Sequence, residues 1–99
     1  MMCVQVNWTL PATEQLAALH DFVSESNLKA ADNQVAIILN ATSGLGDFPE
    51  KGRPGRRPGT RELVVPGTPY IVAYRVRNSI IEILAIIHGA RRWPRNFVK

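Results

Sequence analysis

Polar and apolar residues alternate at the start of the chain. Val4, Val6 and Trp8 interleave with Gln5 and Asn7, the period of a short half-buried strand, which we place over 3–8. Leu10-Pro11 then opens a helix over 11–25, because proline suits a first turn where its missing N–H is not needed. Leu16, Leu19, Phe22 and Val23 recur along it and are expected to share one face. Ser24 to Asn27 interrupts the pattern, and Ser26 or Asn27 is suited to cap a second helix over 28–46. Ala31, Val35, Ile38, Thr42 and Leu45 form its apolar stripe, and Gly44, Gly46 and Pro49 end it. With so short a link, the two helices are expected to form an antiparallel hairpin with their acids toward solvent.

Residues 50–60 read Glu-Lys-Gly-Arg-Pro-Gly-Arg-Arg-Pro-Gly-Thr, rich in glycine, proline and bases, which is the text of a surface loop. Three strand signals follow. The first spans 61–65 and is closed by Pro66-Gly67; the second spans 70–77; the third spans 80–88 after a two-residue Asn78-Ser79 turn. A basic, aromatic tail runs over 89–99. The expected fold is a two-layer α/β (α+β) domain in the order β-α-α-β-β-β, with an antiparallel sheet of about four strands on an N-terminal helix hairpin.

The hairpin also predicts faces. Pairing Arg77 with Ile80 sets Val76 against Ile81, Tyr74 against Ile83 and Val72 against Ala85, an apolar side for the helices. The other side then carries Arg75 against Glu82, Ala73 against Leu84 and Ile71 against Ile86, with Arg77 and His88 at its ends. Arginines mixed with aliphatics on that side predict that something covers part of it.

Charge sharpens the picture. Residues 1–50 hold one base against six acids, a net of −5, whereas residues 51–99 hold eleven bases against two acids, a net of +9. Nine of those eleven bases are arginine, which forks onto phosphates and carboxylates. The second half is therefore a candidate surface for a polyanion or an acidic protein, unless the two halves neutralise one another across the fold. The length of 99 residues suits one domain. Cys3 is the lone cysteine, so neither an internal disulfide nor a multi-cysteine zinc site is available, and a reducing cytoplasm is the expected compartment. The N-terminus lacks the text of a signal peptide, and no run is long and apolar enough to predict a membrane span.

Candidate chemistry is sparse. No P-loop, dinucleotide fingerprint, metalloprotease helix or nucleophile elbow occurs, and neither metal nor cofactor is expected. His20 lies on the acidic first helix, where a surface ring is the default reading. His88 ends a strand near Arg91 and Arg92, placed either for proton transfer or for a structural hydrogen bond. Glu62 and Glu82 each have an arginine neighbour to explain them. Trp93 and Phe97 either stack on bases or fold back over Leu84 and Ile86, and the second use is favoured.

The order of elements, with Gly52-Arg53-Pro54-Gly55-Arg56, Gly59-Thr60-Arg61-Glu62-Leu63-Val64-Val65, Tyr70-Ile71-Val72-Ala73-Tyr74-Arg75-Val76, Ile81-Glu82-Ile83-Leu84 and His88-Gly89-Ala90-Arg91-Arg92-Trp93-Pro94, resembles the RelE/ParE toxin superfamily, ParE-like branch. The resemblance spans about residues 6–94. It implies the toxin of a type II toxin–antitoxin system, of the kind associated with plasmid stabilisation and growth arrest and neutralised by a cognate antitoxin. RelE-like members cut mRNA in the ribosomal A site; ParE-like members inhibit DNA gyrase and leave broken DNA.

Under the gyrase reading, Arg61, Arg75, Arg77, Arg91 and Arg92 form a cationic target-binding surface with Trp93 as an anchor, and the protein performs no chemistry of its own. Under the nuclease reading, Arg61, Arg75 and Arg91 hold the scissile phosphate and His88 moves the proton. The tail aromatics Trp93 and Phe97 cannot transfer a proton, which favours the gyrase branch. A third reading is an orphan binding module. In each, an acidic antitoxin segment is the expected partner, covering the helices or the mixed sheet face; a homodimer or a hetero-oligomer with the antitoxin is compatible, and no membrane is involved.

Overall fold

The computed structural model describes residues 4–89. Its elements are β1 (Gln5–Trp8), α1 (Leu10–Ser24), α2 (Leu28–Ser43), a 3-10 turn (Gly44–Gly46), β2 (Arg53–Pro54), β3 (Arg61–Val64), β4 (Tyr70–Arg77) and β5 (Ile80–His88). The sheet has five strands in the order β1-β5-β4-β3-β2, one more than expected, because the basic segment contributes the two-residue β2. The second correction concerns direction. β1 runs parallel to β5, with Val6 beside Ile81 and Trp8 beside Ile83, so the sheet is mixed and not wholly antiparallel. The helix hairpin carries the chain from one edge of the sheet to the other, and the meander β2-β3-β4-β5 returns it to β1.

Local chemistry explains the element ends. Pro11 sits in the first turn of α1. Thr9 joins it to the sheet, its N–H and Oγ1–H both donating to the Ile83 carbonyl at 3.1 and 2.7 Å. Asn27, not Ser26, caps α2, its side chain accepting from the Ala30 N–H at 3.0 Å. α2 stops at Ser43, and the expected last turn tightens into the 3-10 segment that buries Leu45. Pro66 and Gly67 close a turn in which the Thr68 N–H meets the Val65 carbonyl and Gly67 takes φ of 82°. Asn78 and Ser79 both have positive φ, 52° and 60°, as a two-residue hairpin turn demands.

The core lies between the helices and one side of the sheet. Ile38, Leu45, Val65, Val72, Tyr74, Ile81 and Ile83 are fully buried there, with Ala12, Leu19 and Leu63 around them. Phe22 departs from expectation and is 71% exposed. Ala12, Leu16, Leu19 and Val23 define the inward stripe of α1, and Phe22 sits about a quarter-turn off it at 3.6 residues per turn. The acids of residues 4–50 are exposed as expected, and His20 pairs with Asp32 across the two helices at 2.7 Å. Among the described residues, no helix is long and apolar enough to cross a membrane.

Hairpin pairing follows the expected register from Arg77–Ile80 to Tyr74–Ile83. It then shifts, so that Ala73 faces Ala85, Val72 faces Ile86, Ile71 faces Ile87 and Tyr70 faces His88. The extra residue, Leu84, is a β-bulge. One inserted residue turns every later side chain to the opposite face, so the sequence-based assignments of Ala85, Ile86 and His88 are all reversed. Ile86 joins the helix-side core, while Ala73, Ala85 and Ile87 form a second buried cluster. Ile71, Ala73, Ala85 and Ile87 are buried although the helices lie on the other side. Past the end of β1, Gln15 of α1 reaches back to accept the Ile86 N–H at 2.7 Å and satisfies that open strand edge.

Candidate functional site

Pairing across the strands sorts the cations by side. Arg53 pairs with Glu62, and Glu62 with Ala73, on the side of the sheet away from the helices; Arg75 pairs with Glu82 on that same side. Arg75 donates to Glu82 at 2.5 Å, so its charge is largely answered within the sheet. Arg77, at the end of β4, is exposed.

Arg61 is elsewhere. Its partner in β4 is Tyr74, which places it on the helix side. There its guanidinium donates to the carbonyls of Gly52 at 2.7 Å and Glu50 at 3.4 Å. His88 also lies on the helix side, its ring meeting Tyr70 edge-on with centroids 5.8 Å apart. Four positions along β4 and two strand spacings separate Arg61 from His88, on the order of 15 Å. Arg75 is across the sheet from both. The structure therefore does not bring Arg61, Arg75 and His88 together around one phosphate. Arg91, Arg92, Trp93 and Phe97 lie outside the described residues. Among the described residues, no group of three or more histidine, cysteine or acidic side chains gathers where it could hold a metal.

What the fold does assemble is the basic loop before β3. The Tyr74 hydroxyl, wholly buried, accepts from the Gly52 N–H and donates to the Pro49 carbonyl, both at 2.8 Å. Burial pushes its pKa above the usual 10.0, against the lowering effect of the Gly52 hydrogen bond and the Arg61 charge. A Cβ at Gly52 would come within 2.6 Å of that hydroxyl, so the close approach depends on glycine. Glu62, 3% exposed, takes Arg53 Nε and NH2 on one oxygen at 3.3 and 3.1 Å; its other oxygen takes the Arg56 N–H at 3.1 Å, with Arg56 Nε 4.0 Å away. The far end is closed by the Gly55 N–H to the Thr60 carbonyl at 2.8 Å, and by Thr60 Oγ1–H to the Arg57 carbonyl at 2.7 Å.

Three strand side chains, Tyr74 and Arg61 from the helix side of the sheet and Glu62 from the other, thus hold the loop while Lys51, Arg53 and Arg56 stay exposed. Sequence reasoning identified the cations but not this scaffold. The available signal was Glu62, one acid following five bases within residues 51–61.

A family model described as the ParE toxin of the type II toxin–antitoxin system, parDE, matches residues 6–93. Y4kP of Sinorhizobium fredii, a candidate toxin by its given name, is 37% identical over 91 residues, covering 92% of this chain and 94% of that protein. Among solved structures, a chain of the chromosomal ParDE toxin–antitoxin system from P. aeruginosa superposes with a TM-score of 0.79 at 28% identity, covering 87% of this chain and 96% of that one. A chain of the RelBE2 toxin–antitoxin complex from Mycobacterium tuberculosis does so with a TM-score of 0.64 at 25% identity, covering 87% and 98%. With the strand–hairpin–meander fold and the element order already established, the chain belongs to the ParE toxin family of type II toxin–antitoxin systems, within the RelE/ParE superfamily.

Proposed function

We infer that this toxin arrests growth by binding DNA gyrase, with no chemistry of its own, and is neutralised by a cognate antitoxin carrying an acidic segment. The observation that carries the reading is the dispersal of the groups a ribonuclease would need. Cleavage through a 2′-oxygen requires a proton-transfer group and cations around the same phosphate. His88 packs on Tyr70 at one end of the sheet, Arg61 is bonded to loop carbonyls, and Arg75 is bonded to Glu82 on the opposite side. The ParE family match supports the gyrase branch, and the toxin–antitoxin systems of the matched structures support the antitoxin. Arg77, exposed on the outer side, together with Arg91, Arg92 and Trp93 of the tail, are the residues we assign to target contact.

Inducing the wild-type gene and His88→Ala side by side tests the chemistry-free mode. Both are expected to arrest growth to a similar extent and to leave broken chromosomal DNA. Loss of arrest with His88→Ala, while His88→Asn folds and is equally inactive, would contradict it. A nuclease requires that loss, because a proton-transfer group contributes about 100- to 10,000-fold to rate.

A further inference from the structure

The segment Lys51 to Arg57 reads Lys-Gly-Arg-Pro-Gly-Arg-Arg. Such a run ordinarily remains a solvated turn of many conformers, since like charges repel and glycine has the most backbone freedom to lose. Here a buried carboxylate fixes it. Glu62 is 3% exposed, while the Arg53 and Arg56 side chains it holds remain 58% and 57% exposed. One anion beneath the surface keeps two outward guanidinium groups side by side and pins the backbone between them through the Arg56 N–H. Burying a carboxylate is costly unless it is paired, and among the described residues this one is matched by the loop's own donors.

We propose that residues 51–57 form a preformed contact surface for the phosphate backbone of duplex DNA, with Glu62 as its positioning residue. Guanidinium groups match phosphate oxygens in fork geometry. Apart from Pro54, no side chain in the segment is apolar, so it lacks the aromatic or aliphatic anchor on which a protein interface centres. Contacts to a phosphate backbone need no such anchor. Cations already fixed in place lose little freedom on binding, which suits a stiff polyanion. This surface is distinct from the target-contact residues assigned above and does not depend on the identity of that target.

The test is fluorescence anisotropy of a labelled duplex with the purified full chain between 50 and 200 mM salt. Binding is expected to weaken with salt along a log–log slope of about −2 to −4, as two to four phosphate contacts give. Arg53→Ala is expected to cut affinity about tenfold and to flatten the slope by about 1. Lys29→Ala removes the same charge from the exposed side of α2 and is expected to leave the slope unchanged.

Glu62→Gln decides the sign. It raises the net charge by one, so attraction to total charge alone predicts tighter binding. Positioning predicts binding about three- to tenfold weaker with an unaltered circular dichroism spectrum. No salt-dependent binding overturns the proposal. So does a folded Glu62→Gln that binds equally well or better, or binding to polyglutamate without binding to DNA. If Glu62→Gln does not fold, an unchanged slope in Arg53→Ala overturns the proposal by itself. Gyrase inhibition without DNA binding by the isolated chain removes this inference and leaves the proposed function; DNA binding without gyrase inhibition does the reverse.

Discussion

The helix hairpin is held to the sheet by apolar burial, whereas the loop from Pro49 to Thr60 is held by polar side chains rising from β3 and β4. In the hairpin, Ala12, Leu19, Ala31 and Ile38 point inward, and the polar contact between the helices, His20 with Asp32, sits at the surface. In the loop the arrangement is inverted: the cations are outside, and the groups that order them, Tyr74 and Glu62, are buried. Hydrophobic burial is non-directional and tolerates some sliding. Hydrogen bonds to buried acceptors fix atoms to within a few tenths of an ångström. The loop, unlike the hairpin, is thus held by directional bonds.

Four substitutions or conditions would break or sharpen that contrast. Ile38→Ala should destabilise the whole fold by about 2–5 kcal/mol in urea denaturation, because a fully buried aliphatic is replaced by a cavity. Tyr74→Phe should cost less, about 1–3 kcal/mol, since the Gly52 N–H and the Pro49 carbonyl lose their partner without a change in apolar packing. Its signature should be local, with the Gly52 amide exchanging much faster in hydrogen-exchange measurements while the amides of α1 are little affected.

The same hydroxyl ties stability to pH. Burial raises the Tyr74 pKa above 10.0, so the folded state retains the proton where the unfolded chain releases it. That contribution is intact below pH 10 and is lost as pH climbs from there toward the folded value. Denaturation curves from pH 8 to 11 should show the decline, and Tyr74→Phe should lessen it. Smallest of all, His20→Ala should change stability by less than about 0.5 kcal/mol, because the pair with Asp32 is exposed and screened. An effect as large as that of Tyr74→Phe would place polar support in the hairpin as well and erase the contrast.

Legibility in the sequence followed the same division. The hairpin was readable because Ala31, Val35, Ile38 and Thr42 repeat at helical spacing, and Asn78-Ser79 announced its turn through residues that tolerate positive φ. The strands β4 and β5 fell at the expected positions, and the side of Tyr74 was assigned correctly. The bulge at Leu84 was not readable, since Ile83 to Ile87 is continuously apolar and offers no alternation to count. That one residue moved His88 from the arginine side to the Tyr70 side. The parallel pairing of β1 was hidden for a different reason: it depends on where the hairpin delivers the chain, which no local pattern records. Within the candidate site, the hairpin register paired Arg75 with Glu82, as the structure does, but no sequence pattern told that Arg61 serves the loop backbone.

The central claim, a toxin that works by binding, is tested most directly by adding the purified protein to gyrase supercoiling reactions and, in parallel, to ribosomes carrying mRNA. Loss of supercoiling with mRNA left intact is the result this account predicts. Cleaved mRNA with supercoiling unaffected would contradict it.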